Sequence, residues 1–102
     1  MQSLARLSLQ IPEDSSQDIV GQTKQVLQCI DDLLKQAGVD KTRILMAQIF
    51  LADVKADYNG MNEAWDAWVP QGHAPPRATV QSVLANLEWK VEIVVTAAAA
   101  RS

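Results

Sequence analysis

The chain has 102 residues, of which 48% are apolar, and carries a formal net charge of −3. That length fits one soluble domain over residues 1–102 with no second core, and no apolar run approaches the ~20 residues that a membrane-spanning helix needs. Lys24, Lys35, Lys41, Arg43, Lys55 and Lys90 are scattered among acids, so no basic face is offered to nucleic acid.

Residues 4–11 read as a short strand ended by Pro12, which cannot donate to a ladder. Glu13-Asp14-Ser15-Ser16 is a turn, with Ser15 or Ser16 as the expected N-cap of a helix. From Asp18 to Ala37, apolar or small residues recur at Ile19, Thr23, Val26, Ile30, Leu33, Leu34 and Ala37, one face of a 3.6-residue period. Gly38 is a good stop because it tolerates a left-handed backbone. Residues 43–52 are almost continuously apolar and predict a central strand covered on both faces. After Asp53–Asp57 comes a second helix, with Tyr58, Met61, Trp65 and Trp68 on one stripe as packing residues. Residues 70–76 form a Pro/Gly loop, followed by alternating runs at 77–82 and 91–96. The order β-α-β-α-β-β predicts an α+β fold, two helices packed on one face of a mixed sheet. The outer face is left bare, which predicts self-association.

The two final runs carry the candidate chemistry. If they pair as an antiparallel hairpin, matching their apolar faces sets Arg77, Thr79, Gln81 and Glu92 on one polar face, the outer one. Arg77 beside Glu92 is then either a surface ion pair, worth ~0–1 kcal/mol, or a small-anion site in which the guanidinium holds a carboxylate and Glu92 takes a proton from water. Asn62 on the second helix is a solvated residue, a cap or a ligand contact. Cys29 has no basic neighbour in sequence and reads as an inert thiol. One cysteine excludes an internal disulfide framework, and with no secretory pattern in Met1-Gln2-Ser3-Leu4-Ala5-Arg6 it fits a cytoplasmic setting. His73, the sole histidine, has no second ligand at metal spacing, so no metal site is expected.

Several segments in order resemble the reactive-intermediate deaminase family (the RidA or YjgF group, also called endoribonuclease L-PSP). They are Gln10-Ile11-Pro12-Glu13-Asp14, Gln22–Leu27, Leu33–Gly38, Ile49–Asp53, Met61-Asn62-Glu63-Ala64-Trp65, Pro76-Arg77-Ala78-Thr79-Val80 and Val91-Glu92-Ile93. The resemblance runs over roughly residues 8 to 97. It implies a chorismate-mutase-like α+β fold assembled as a homotrimer with clefts between subunits. Arg77 corresponds to the arginine that binds the substrate carboxylate, Glu92 to the glutamate that positions or activates water, Thr79 to a cleft-lining residue, and Asn62 to an asparagine near the site. Two departures stand out. The chain begins after the family's usual N-terminal strand pair, so those strands are shortened, and Leu9 replaces the glycine of a Ser/Ala-Gly-Gln motif.

The activity so implied is hydrolysis of a 2-imino acid to a 2-oxo acid and ammonia, without a cofactor. One alternative is a small-carboxylate-binding or regulatory trimer that keeps Arg77 without turnover. A second is a ribonuclease or translation inhibitor, against which the acidic charge and lack of a histidine pair weigh.

Overall fold

The computed structural model describes residues 3–99, with side chains described for residues 10–98. The elements are β1 (Ser3–Gln10), α1 (Ile19–Gln36), a 3₁₀ turn (Lys41–Arg43), β2 (Ile44–Leu51), α2 (Val54–Trp68), β3 (Arg77–Gln81) and β4 (Val91–Ala99). The expected order holds, and both helices pack on one face of a four-stranded mixed sheet.

The local start and stop chemistry explains the helix boundaries. Asp14, not α1, engages the upstream serine: its carboxylate accepts from the Ser16 backbone N–H at 3.0 Å and from the Ser16 hydroxyl at 2.6 Å. The helix therefore begins later than a serine cap would place it. Asp18 is the N-cap, accepting from the Gly21 N–H at 2.8 Å. At the far end Gly38 adopts φ 73°. Val39 N–H then reaches back to Leu34 O at 2.9 Å and Gly38 N–H to Lys35 O at 3.1 Å, the pair of bonds that closes a Schellman cap. Leu34 and Val39, both buried, supply its apolar contact. Asp53 caps α2, accepting from Ala56 N–H at 3.1 Å. Where α2 passes α1, a Cβ on Gly60 would lie 2.5 Å from Ile19 Cγ2, so the close approach requires glycine there.

The sheet order is β1-β4-β2-β3. This corrects the expected hairpin. β3 pairs in parallel with β2, and β4 pairs antiparallel with β2 on its other edge, so β2 separates the two runs. The physical reason lies in the connections. Helix α2 is a crossover that returns the chain parallel to β2, whereas residues 82–90 are too long for a tight hairpin. β2, the most apolar strand, takes the central place, and its inward residues Ala47, Ile49 and Leu51 are fully buried beside Val91, Ile93 and Val95. It is covered on one face only, which corrects the expectation of two. Met46 and Gln48 are exposed on the outer side, Phe50 is half-buried there, and Leu45 is exposed at the irregularity between Ile44 and Met46.

One buried side chain fixes how residues 82–90 cross from β3 to β4. Gln22 on α1 has no solvent exposure. Its amide N–H groups lie 3.1 Å from each of Ser15 O, Gln17 O and Glu88 O, and its carbonyl accepts from Lys90 N–H at 2.8 Å. Leucine at this site keeps the volume and leaves those backbone groups without a partner. Gln22→Leu is expected to cost about 2–4 kcal/mol, allowing some relaxation of the connection. Urea denaturation measures it, and faster amide exchange at Lys90 locates the loss.

Candidate active site

Positions 58, 61, 62 and 65 of α2 share one helical face, and this face receives the Arg77 side chain from the first residue of β3. The guanidinium Nη2 donates to Asn62 Oδ1 and lies 3.5 Å from the Tyr58 hydroxyl, while Nη1 lies 3.6 Å from Met61 Sδ. Its carbon sits 5.5 Å from the Trp65 ring centre and 5.9 Å from that of Tyr58, close enough for cation–π attraction. Met61 and Trp65 are buried and Tyr58 is 41% exposed, so the arginine emerges from an apolar floor toward an open rim. Arg77 forms no ion pair among the described residues. Of its five N–H donors, three are engaged by α2.

The expected Arg77–Glu92 pairing does not occur within the chain. Register explains why: Arg77 stands beside Ala47 and hence Val95, whereas Glu92 stands beside Phe50 and hence Val80. Because side chains alternate, Arg77, Thr79 and Gln81 share the helix-covered face with Ala47, Ile49 and Leu51. Glu92 shares the outer face with Phe50 and Val80. Strand spacing and rise put the two Cα atoms roughly 14 Å apart, two strands across and three residues along. Both the surface ion pair and the single-face anion site within one chain are therefore excluded.

The remaining expected residues divide between the two faces. Asn62 joins Arg77 directly. Thr79 lies two residues along on the same face, and its buried hydroxyl has no partner among the described residues. Gln81 accepts from Val54 N–H at 2.9 Å and so serves the start of α2. Glu92 is only 7% exposed, has no hydrogen-bond partner among the described residues, and burial pushes its carboxyl above the usual range. Leu9 falls in the irregularity of the β1–β4 ladder between Leu7 and Gln10. Its side chain lies outside the described residues.

Of the other chemically active side chains, Cys29 donates weakly to Glu13 at 3.8 Å, and burial followed by Glu13 pushes its thiol upward, away from nucleophilic use. Trp68 is a helix–helix tie rather than a plain core residue. Its indole N–H donates to Asp31 at 3.0 Å, and Lys41 sits 4.8 Å over its ring. No group of three His, Cys, Asp or Glu among the described residues could hold a metal ion, and no described helix is long and apolar enough to cross a membrane. Tyr58 is the site residue that sequence reasoning passed over. Its spacing of four from Asn62 was the available signal.

A two-layer α+β domain with an arginine seated on its second helix defines the class. The family model for Endoribonuclease L-PSP matches residues 2–99, and the chain belongs to this family, the YjgF or RutC group. It is 53% identical over 95 residues to a RutC family protein of Haemophilus ducreyi, covering 93% of this chain and 80% of that one. A crystal structure of a YjgF-family member from Neisseria meningitidis superposes with a TM-score of 0.91 at 43% identity, covering 97% of this chain and 82% of that one. More distantly, the chain is 35% identical over 86 residues to the chloroplastic Reactive Intermediate Deaminase A of Arabidopsis thaliana, covering 81% of this chain and 45% of that protein.

The raised carboxyl of Glu92 has a consequence for stability. Its folded pKa lies above the unfolded value, so its contribution favours the fold below the unfolded pKa and is lost as pH rises through the folded one. Glu92→Gln, neutral throughout, should therefore be more stable than wild type at pH 8, with the gap closing by about pH 4. Urea denaturation at the two pH values checks this. A wild type that is the more stable at pH 8 would mean that Glu92 has a cationic partner from outside its own chain.

Proposed function

We propose that this protein is an imine and enamine deaminase that hydrolyses small 2-imino acids to 2-oxo acids and ammonia, with each site built between two copies of the chain in a homotrimer. The observation that carries the reading is the separation of its two charged groups. Among the described residues, Arg77 is held on α2 without an acid, and Glu92 is buried on the opposite sheet face without a donor. A 2-imino acid holds its carboxylate and imine carbon on adjacent atoms, so one molecule cannot bridge roughly 14 Å. Arg77 of one copy and Glu92 of another can meet it together. The bare outer face supports assembly, with Val80 47% and Met46 42% exposed on it.

In this reading Arg77 binds the substrate carboxylate, Asn62 holds the guanidinium in place, and the Thr79 hydroxyl offers a further hydrogen bond. Glu92 of the neighbouring copy takes a proton from water as the water oxygen bonds to the imine carbon. The C=N π electrons of the protonated imine pass to nitrogen, giving a neutral tetrahedral carbinolamine. The proton on Glu92 then passes to the amine, and the C–N bond breaks as C=O forms, the hydroxyl proton going through the Glu92 carboxylate to the departing nitrogen, which leaves as ammonium. A carboxyl with a raised pKa suits both halves of this shuttle. No cofactor enters the scheme. The name carried by the Arabidopsis relative supports the chemistry. A ribonuclease is disfavoured by the net charge of −3 and the single histidine.

Freshly generated 2-iminopropanoate, assayed for ammonia release above the spontaneous rate, tests the reading. Glu92→Gln is expected to lower turnover by ~10²–10⁴ while keeping 2-oxo acid binding. Arg77→Lys should weaken that binding by about tenfold or more, because lysine keeps the charge and loses the planar fork. Wild type that binds the 2-oxo acid through Arg77 with no rate above background would leave a carboxylate-binding trimer instead. Light scattering that gives the mass of one chain would remove the intersubunit site altogether.

A further inference from the structure

The Tyr58 phenol is a polar group at the open rim of the Arg77 site to which the deaminase scheme assigns no task. Arginine can only donate, so in the 3.5 Å contact between Arg77 Nη2 and the Tyr58 hydroxyl the phenol oxygen is the acceptor. The phenol hydrogen therefore points elsewhere, and no described residue accepts it. Tyr58 is 41% exposed, its ring lies against the guanidinium at 5.9 Å, and Asn62 is one helical turn further along α2. An anion seated on Arg77 from the solvent side meets this hydrogen. We propose that Tyr58 is a carboxylate-recognition residue: its hydroxyl donates to the ligand carboxylate held by Arg77, making the site a clamp of guanidinium and phenol. This rests on the reading of Arg77 as the carboxylate binder.

The surroundings of the phenol add a second signature. Asn62 first, then Arg77, favour its ionised form and hold its pKa below the ordinary tyrosine value, while Asp66 on α2 opposes them weakly. Arg77 and Asp66 are the charged groups of its own chain that face it, and the assembled site adds Glu92 of the neighbouring copy. Once ionised, the phenol loses its donor and repels a carboxylate. Binding that depends on Tyr58 is thus present below its pKa and lost as pH rises through it.

Calorimetric titration with pyruvate, at neutral pH and in steps toward pH 10, tests the proposal on wild type, Tyr58→Phe and Arg77→Lys. The expected result is an affinity about tenfold weaker in Tyr58→Phe at neutral pH. The wild-type advantage should then disappear as pH rises, leaving Tyr58→Phe nearly flat. Phenylalanine keeps the ring against Arg77, so loss of the hydroxyl alone is measured. Equal affinity of Tyr58→Phe and wild type, with Arg77→Lys weakened, overturns the role of Tyr58 and leaves the Arg77 site standing. Parallel pH profiles in wild type and Tyr58→Phe overturn it as well. Equal behaviour of wild type and Arg77→Lys removes the carboxylate site, and this inference with it.

Discussion

Parallel pairing of β2 with β3 is the constraint on which the arrangement depends. It places the most apolar strand between the two that carry the charged residues, and it fixes Arg77 opposite Ala47 and Glu92 opposite Phe50. Alternation then does the rest, because a register that buries Ala47, Ile49 and Leu51 must turn Arg77 toward the helices and Glu92 away from them. A slip of one residue in β3 would expose its inward set and move Arg77 off α2. The same strand pairing thus builds the core and divides the charges.

That division has an energetic side. For a guanidinium over an apolar floor, Asn62, Tyr58 and the Trp65 ring partly replace lost water. Glu92 has no such replacement among the described residues, and its raised carboxyl records the cost. Groups held this way are costly to a single folded chain and useful to a site that receives water and an anion from outside. The buried Thr79 hydroxyl on the Arg77 side, without a partner among the described residues, fits the same description.

The helices were legible in the sequence because their signals are local. The apolar stripe from Ile19 to Leu34 and the stop at Gly38 depend on residues within a few turns. The N-cap was misplaced because Asp14 takes Ser16 into its own turn, a competition between neighbouring side chains that composition does not reveal. Strand identities were also readable, since the runs at Arg77 and Val91 alternate. Their partners were not. Pairing depends on what α2 and the Gln22-anchored connection permit over long sequence distances, so the hairpin reading of Arg77 and Glu92 failed. Asn62 stood out as a polar residue inside a helix, with a solvated role, a cap or a ligand contact left open, and the family resemblance set it near the site. Tyr58 was passed over because an aromatic on an amphipathic helix reads as core until the arginine it faces is known.

The central claim is that Arg77 and Glu92 serve one site from different copies of the chain. Mixing two impaired variants, Arg77→Lys and Glu92→Gln, letting their subunits exchange by mild denaturation and refolding, and assaying at substrate concentrations far below saturation tests it most directly. Random assembly then places an intact Arg77 beside a neighbour's intact Glu92 in about a quarter of the sites. Imine hydrolysis should return to about a quarter of the wild-type rate, while each variant refolded alone stays at about a tenth of it or less. A mixture that remains at the level of the separate variants after exchange, with mixed oligomers verified by native mass spectrometry, would contradict the account.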